Sequence, residues 1–155
     1  MNKFFTIAFT HHTAGLDAIG TLHVEEDLQL LRMEQAQKEL GLSEAMMVLT
    51  CNRLEFHLVA DFDAEPEFLN AFFQLVYPGK DEAFYGWAME SITVFQGDQA
   101  VDHLFRVTSS LDSLVVGERE IITQVRNAYE RFLAAGTTGD FLRMVIRKAL
   151  SLIHI

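Results

Sequence analysis

Residues 46–60 read MMVLTCNRLEFHLVA and predict two adjacent strands joined by a short polar turn. The first four residues are continuously apolar, as in a buried strand. From Leu54 onward, apolar side chains alternate with Glu55, His57 and Val59, as in a half-buried strand. Turns at the ends of rigid strands commonly hold reactive side chains, so the residues between the two runs are candidates for a functional site.

The segments on either side extend this pair into a larger sheet. Runs of β-branched and aromatic residues at 4–10 and 91–95 predict two further strands. One helix is predicted at 24–40, where Leu28, Leu31 and Gln35 follow helical spacing and Gly41 fits a helix stop. A second helix is predicted at 65–77. The succession strand, helix, strand, strand, helix, strand is the split βαβ arrangement of ferredoxin-like folds. We therefore expect an α+β fold with an antiparallel sheet and helices on one face.

The chain becomes helical in character after the last predicted strand. Apolar residues recur at helical spacing in three segments, 99–107, 121–132 and 141–150. Residues 136–140 are predicted to end the second of these helices and to cap the third. We expect 1–155 to form one domain, made of a ferredoxin-like α/β part, 1–96, and a helical part, 97–155.

The composition fits a cytoplasmic protein with one sizeable core. Half of the 155 residues are apolar and 13 are Phe. No apolar run approaches the roughly 20 residues of a membrane span, and the start lacks a signal-peptide pattern. A single cysteine permits no internal disulfide, which favours a reducing, cytoplasmic setting. No Cys and His spacing is typical of zinc, so we expect no metal. Because no apolar run is long enough to cross a membrane, we expect no membrane partner either.

The charge argues against general nucleic-acid binding, because the formal net charge is −10. It is uneven, with −12 over the first 115 residues and +2 over the last 40. Arg143 and Arg147 would be neighbours on one helix face. They fit either a solvated helix surface or a local phosphate contact.

Cys51, the only cysteine, lies in the predicted turn. In extended backbone, Arg53 projects to the same side, and a nearby guanidinium favours the nucleophilic thiolate over the thiol. The competing interpretation is a small, buried apolar residue, the usual fate of free cysteine. From these residues alone, both interpretations stand.

A second polar constellation occurs at residues 103–118, which read HLFRVTSSLDSLVVGE. A site that orients a polar substrate needs several such groups converging on one pocket. The alternative is that Asp112 and Ser113 only cap helices and that His103 is a satisfied structural histidine.

Taken together, the two motifs resemble the N-terminal catalytic domain of glutamyl-tRNA reductase. That family shows Thr-Cys-Asn-Arg-x-Glu, which residues 50–55 match. Some fifty positions later it shows His-Leu-x-x-Val-x-Ser-Gly-Leu-Asp-Ser-Leu-x-x-Gly-Glu, which residues 103–118 match with one change. Gln-Val follows in the family, as Gln124-Val125 does here. Residues 11–14 resemble the family's early His-x-Thr-Ala, and the resemblance covers about residues 4–150.

Three departures from the family pattern affect what can be carried over. Ser110 stands where Gly is usual, and Arg119-Glu120 stands where Pro-Gln is usual. His57 replaces a common Tyr. The first two changes bear on backbone shape and on one substrate contact, and none of the three removes the nucleophile.

The resemblance implies reduction of glutamate esterified to its tRNA, at the start of a route to tetrapyrroles and haem. Cys51 as thiolate would form a thioester, which NADPH would reduce to glutamate-1-semialdehyde; a covalent intermediate replaces one hard step by two easier ones. His103 matches a histidine important for activity. Arg53 would pair with a substrate carboxylate and Glu118 with the α-ammonium. The substrate-binding positions implied by the resemblance are Thr50, Asn52, Arg53, Ser113, Glu118, Arg119, Glu120 and Gln124.

The resemblance also implies a cofactor and a subunit partner beyond this chain. Family members continue into an NADPH-binding domain and a long helix that forms a homodimer. The 155 residues contain no Gly-x-Gly-x-x-Gly run, so we expect this chain to lack the hydride-donor site and the dimerising helix. With glutamyl-tRNA as partner, it would then act at best as a slow esterase.

Two alternatives remain open at the level of sequence. The first is a stand-alone thiol-dependent esterase or acyl-transfer domain, which keeps Cys51 as nucleophile but needs no reductant. The second is a non-catalytic ferredoxin-like interaction module, which predicts a buried and unreactive Cys51.

Overall fold

Among the described residues, four strands form one antiparallel sheet: β1 (Lys3–Thr10), β2 (Glu44–Leu49), β3 (Arg53–Ala60) and β4 (Thr93–Gln96). The computed structural model describes residues 2–109 and 120–151, without the side chain of Glu120. The strands lie in the order β2-β3-β1-β4, and every neighbouring pair is antiparallel. This topology confirms the predicted α+β, ferredoxin-like fold.

Seven helices are described in these ranges. They are α1 (Leu16–Gly20), α2 (Glu26–Leu40), α3 (Pro66–Val76), α4 (Glu82–Ser91), α5 (Asp98–Thr108), α6 (Glu120–Ala135) and α7 (Asp140–Ser151). The short α1 and the whole of α4 were not predicted. Gly86 lies inside α4 and lowers its helical propensity, while the Asp81 side chain accepts a hydrogen bond from the Phe84 N–H at 2.9 Å and starts the helix.

Aromatic contacts show which helices cover each face of the sheet. Phe5 of β1 meets Phe68 of α3 with ring centroids 5.6 Å apart. On the opposite face, Phe4 meets Phe141 of α7 at 5.1 Å. The sheet therefore lies between α2–α4 on one side and α5–α7 on the other. The expectation of helices on one face is correct for the ferredoxin-like part, but the helical part covers the second face.

This second layer of helices overturns the prediction that β3 is half-buried. All eight residues of β3 are buried. Its alternation sends Leu54 and Phe56 toward α3, whereas Arg53, Glu55 and His57 point toward α5–α7. A row of polar and charged side chains therefore lies in the protein interior.

Helix α2 ends where the sequence predicts, but it buries a different face. Gly41 is left-handed at φ 69°, the conformation of a helix C-cap. The residues at helical spacing, Leu28 and Leu31, are exposed, whereas Met33 and Ala36 are fully buried. The apolar spacing therefore identified the helix but not its packed side. Among the helices of the described ranges, none has both the length and the apolar character that a membrane crossing requires.

The turn between α6 and α7 is tied to β2. Gly136, at φ 80°, follows the end of α6 as predicted. The cap of α7, expected from residues 136–140, comes instead from Glu44 on β2. Its carboxylate accepts hydrogen bonds from the backbone N–H groups of Gly139 at 2.6 Å, Leu142 at 3.0 Å and Phe141 at 3.1 Å.

Candidate functional site

The turn between β2 and β3 is held by Thr50. Its Oγ1 accepts hydrogen bonds from the backbone N–H groups of Asn52 at 3.1 Å and Arg53 at 3.2 Å. Its own N–H donates to the Arg53 carbonyl at 2.9 Å. Cys51 lies between these bonded residues with an exposed thiol. The exposure argues against the interpretation of Cys51 as a buried apolar residue, and the turn fixes the backbone that carries the sulfur.

Glu55 lies at the centre of a buried cluster behind this turn. Arg53 Nη1 donates a hydrogen bond to Glu55 Oε2 at 2.8 Å. His103 Nε2, from α5, lies 2.9 Å from the same oxygen. The Arg53 and Glu55 side chains are only 2% and 1% exposed, so these contacts are shielded from water. One carboxylate oxygen thus joins two residues that the sequence singled out separately.

The second oxygen of Glu55 faces His57. His57 Nε2 lies 3.4 Å from Glu55 Oε1, and His57 Nδ1 lies 2.8 Å from Thr6 Oγ1. If the Thr6 hydroxyl donates to Nδ1, the ring proton is on Nε2, the nitrogen nearer the carboxylate, although Glu55 Oε1 accepts no hydrogen bond from the described residues. We assign this tautomer because the reverse would set a lone pair against a negative oxygen.

The cluster shifts two pKa values. Burial alone would raise the pKa of Glu55, but the hydrogen bond from His103 and the surrounding positive charges lower it to about 2. Burial lowers the pKa of His57 to about 4, although the Glu55 charge opposes this shift. At neutral pH, Glu55 is therefore a carboxylate and His57 is a neutral ring.

His103 is fixed from two sides. Its ring stacks on Phe95 with centroids 4.1 Å apart and planes 13° apart, while its Nε2 faces Glu55. It lines a cavity of about 710 Å³ that also contains His12 and Arg106. Any proton transfer to a substrate would have to use Nδ1, because Nε2 is already engaged.

Cys51 opens into a different cavity, of about 870 Å³. Thr50 and Gln124 line it as well, so three of the predicted site residues meet there. The described residues do not place His103 in this cavity. Asn127 and Arg131 also line it and were not predicted. The available signal was their spacing of three and seven residues from Gln124, which puts all three on one side of α6.

Several predicted site residues lie outside the described part of the structure. Ser113, Glu118 and Arg119 fall in the segment 110–119, as does the substitution at Ser110. Glu120 begins α6, but its side chain is not among those described.

Within the described ranges, the residues do not fit a dinucleotide or a metal. All described strand pairs are antiparallel, whereas a dinucleotide site of the usual kind lies at the end of a parallel β-α-β unit. In the same ranges, no group of three or more His, Cys, Asp and Glu residues is placed to hold a metal ion.

Comparisons with known proteins agree with the motifs. Residues 7–153 match the sequence model of a family described as "Glutamyl-tRNAGlu reductase, N-terminal domain". A glutamyl-tRNA reductase of Myxococcus xanthus is 39% identical over 145 residues, covering 91% of this chain and 30% of the relative. One from Desulfotalea psychrophila is 36% identical over 121 residues, covering 77% and 27%.

A solved structure shows the same fold. The glutamyl-tRNA reductase from Methanopyrus kandleri superimposes with a TM-score of 0.74 at 28% identity, covering 97% of this chain and 33% of that one. The chain spans about a third or less of the length of the curated relatives it matches, from 25% to 33%.

Proposed function

Because this chain belongs to the glutamyl-tRNA reductase family, we propose that Cys51 accepts the glutamyl group of glutamyl-tRNA as a thioester. The observation that carries the proposal is the position of the thiol. It is exposed on a turn fixed by Thr50 and opens into a cavity of about 870 Å³ that Gln124 also lines. A cavity of this size suits an aminoacyl group and part of the nucleotide attached to it.

In the proposed step, the Cys51 thiolate attacks the ester carbonyl carbon. A carbon–sulfur bond forms, the carbon–oxygen bond to the terminal ribose breaks, and the departing ribose oxygen takes up a proton. Arg53 and the other predicted contact positions next to Cys51 remain part of the proposal. His103 would contribute through Nδ1, since Glu55 and Phe95 fix the rest of its ring.

Reduction completes the activity that the family name describes. We propose that the full enzyme uses NADPH to convert the thioester to glutamate-1-semialdehyde for tetrapyrrole and haem synthesis. The residues described here do not fit a dinucleotide, so the hydride would come from a site outside them. A cytoplasmic location and a homodimer formed by the full enzyme are proposed by the same family argument.

Neither alternative is favoured over the reductase. An interaction module predicts a buried Cys51, but the thiol is exposed. A stand-alone esterase shares the first step, but the relatives that cover most of this chain are named reductases.

The test is intact-protein mass spectrometry after mixing the chain with glutamyl-tRNA, without NADPH. We expect a glutamyl adduct on the wild type that hydroxylamine removes, as a thioester requires, and none on Cys51→Ser. An adduct of equal yield on Cys51→Ser would place the nucleophile elsewhere. If the wild type forms no adduct and also does not speed the release of glutamate from the tRNA, acyl transfer by this chain is contradicted.

A further inference from the structure

We propose that the exposed face of α7 binds the phosphate backbone of the tRNA whose ester Cys51 attacks, an inference that rests on the function proposed above. This basic face consists of Arg143, Arg147 and Lys148, with Met144 among them, and all four residues are exposed. The opposite side of the helix is buried against the rest of the protein. Residues three and four apart are neighbours on a helix, so α7 presents its cations to solvent on one side.

Two cations of the basic face have no acidic partner. Arg143 Nη2 donates a hydrogen bond to Asp140 Oδ1 at 2.6 Å, within the same helix. In the described part of the chain, no carboxylate oxygen lies within 4.0 Å of a side-chain nitrogen of Arg147 or Lys148. Several other exposed cations do have such a partner: Lys3 with Asp63, Lys38 with Glu34 and Arg106 with Asp102. Arg147 and Lys148 therefore offer positive charge that a polyanion can neutralise.

The rest of the chain is strongly acidic. Its formal net charge is −10, so the protein as a whole repels RNA. Phosphate contacts supply much of the affinity of proteins for nucleic acids, and a negative protein can make them only through a locally positive surface. Helix α7 has three cations and one acid, Asp140. An acidic protein segment would also suit these cations, but the proposed acyl transfer brings a tRNA to this chain and no such segment.

The basic face lies at the end of the sheet opposite Cys51. Glu44, which caps α7, pairs with Val59 on β3, six residues after Arg53. At about 3.3 Å per residue, the start of α7 is roughly 20 Å from the Cys51 turn. One strand of a nucleic-acid duplex advances about 3.4 Å per nucleotide, so this distance corresponds to about six nucleotides. A tRNA whose terminal ester lies at Cys51 is therefore long enough to contact α7 with its acceptor stem.

The first test measures the binding of tRNA without its glutamyl group at a series of salt concentrations, by fluorescence anisotropy. We expect the double variant Arg147→Gln, Lys148→Gln to lower the slope of log Kd against log salt by about 1.5 to 2, because two phosphate contacts are lost. The matched double variant Lys38→Gln, Lys80→Gln removes the same charge from exposed residues outside α7. It should leave the slope within about 0.5 of the wild type.

Three outcomes of this binding test would overturn the proposal. The first is an equal fall of the slope in both double variants, which would mean that only the total charge matters. The second is a wild type that does not bind tRNA even at low salt. The third is tighter binding of polyglutamate than of tRNA, lost in the α7 variant, which would assign the basic face to an acidic protein segment.

The second test separates the basic face from the reaction at Cys51. We expect the α7 variant to slow Cys51 acylation roughly tenfold at low glutamyl-tRNA concentration but not at saturation, because only binding is weakened. A glutamyl ester of the terminal CCA trinucleotide is too short to reach α7, so its rate should change by less than about twofold. Equal slowing with both esters would mean that the substitutions act through the fold, which would overturn the proposal. If neither ester acylates the wild type, the proposed function fails, whereas the salt slope still tests the basic face.

Discussion

Glu55 connects two of its neighbours on β3 with a histidine from α5, 48 residues further along the chain. Its Oε2 holds Arg53 at 2.8 Å and His103 at 2.9 Å, and its Oε1 faces His57 at 3.4 Å. Arg53 begins β3 directly after the turn that carries Cys51, while His103 belongs to α5 in the second layer of helices. The carboxylate therefore links the orientation of the Cys51 turn to that of His103, the histidine predicted to be catalytic.

The change Glu55→Gln keeps the shape but removes this link. The amide that replaces the carboxylate has one accepting oxygen and one donating NH₂ group. The NH₂ group must therefore face either Arg53 and His103 or the ring N–H of His57, which sets donor against donor. We expect a loss of about 3 kcal/mol in the free energy of unfolding, as for removal of one partner from a buried ion pair. Urea denaturation measures this loss. The exposed control Glu90→Gln should stay within about 0.5 kcal/mol of the wild type, and a similar value for Glu55→Gln would contradict the buried geometry.

The two shifted pKa values predict how acid destabilises the fold. Both are lower in the folded than in the unfolded chain, so the unfolded chain binds more protons and stability falls as the pH falls. His57 contributes between its ordinary value of 6.5 and about 4. Glu55 contributes between its ordinary value of 4.5 and about 2.

This prediction is measured as the free energy of unfolding against pH. His57→Gln should flatten the wild-type slope between pH 6.5 and 4, since the amide keeps an N–H toward Glu55 but does not titrate. Glu55→Gln should flatten the slope below pH 4.5. A His57→Gln curve parallel to that of the wild type would mean that folding does not lower the pKa of His57.

At the scale of elements, the N-terminus of α7 depends on a side chain from the sheet. Three backbone N–H groups in residues 139–142 donate to the Glu44 carboxylate. This carboxylate also offsets the positive end of the helix dipole. A residue almost a hundred positions earlier thus determines where the last described helix begins.

The change Glu44→Gln should weaken the attachment of α7 to the sheet. We expect a cost of about 1–2 kcal/mol, because charge-assisted hydrogen bonds at a helix start are replaced by weaker neutral ones. Thermal unfolding measures the change. Asp140→Asn is the matched control, since Asp140 is an exposed acid in the first turn of the same helix. A larger loss in Asp140→Asn would assign the cap to the turn itself, as the sequence suggested.

At the scale of the whole molecule, the sequence predicted the sheet better than its surroundings. Strand runs and helix stops are local signals, so the four strands and the stop at Gly41 were correct. The burial of β3 on both faces was not, because alternation within one strand carries no information about a helix that arrives fifty residues later. The polar face of Glu55 and His57 therefore looked solvated, although α5–α7 cover it.

In the candidate site too, features set by adjacent residues could be predicted and contacts between distant elements could not. The exposed turn at Cys51 could be predicted from adjacent residues, and Gln124 from a motif. Arg131 could not, because it is eighty positions from Cys51 and joins it only when α6 packs beside β2. The role of Glu55 was also missed, because its partner His103 comes from another element.

The contact between β2 and the turn after α6 has a consequence for how copies of the chain behave together. Strand β2 is an edge strand of the sheet. The Ala45 N–H donates a hydrogen bond to the Thr137 carbonyl at 2.9 Å, and the Thr137 hydroxyl donates to the Ala45 carbonyl at 2.8 Å. An incoming strand finds those two groups already taken and cannot align along the full length of β2. The helical layer thus also guards against intermolecular strand addition, the first event in growth of a fibril.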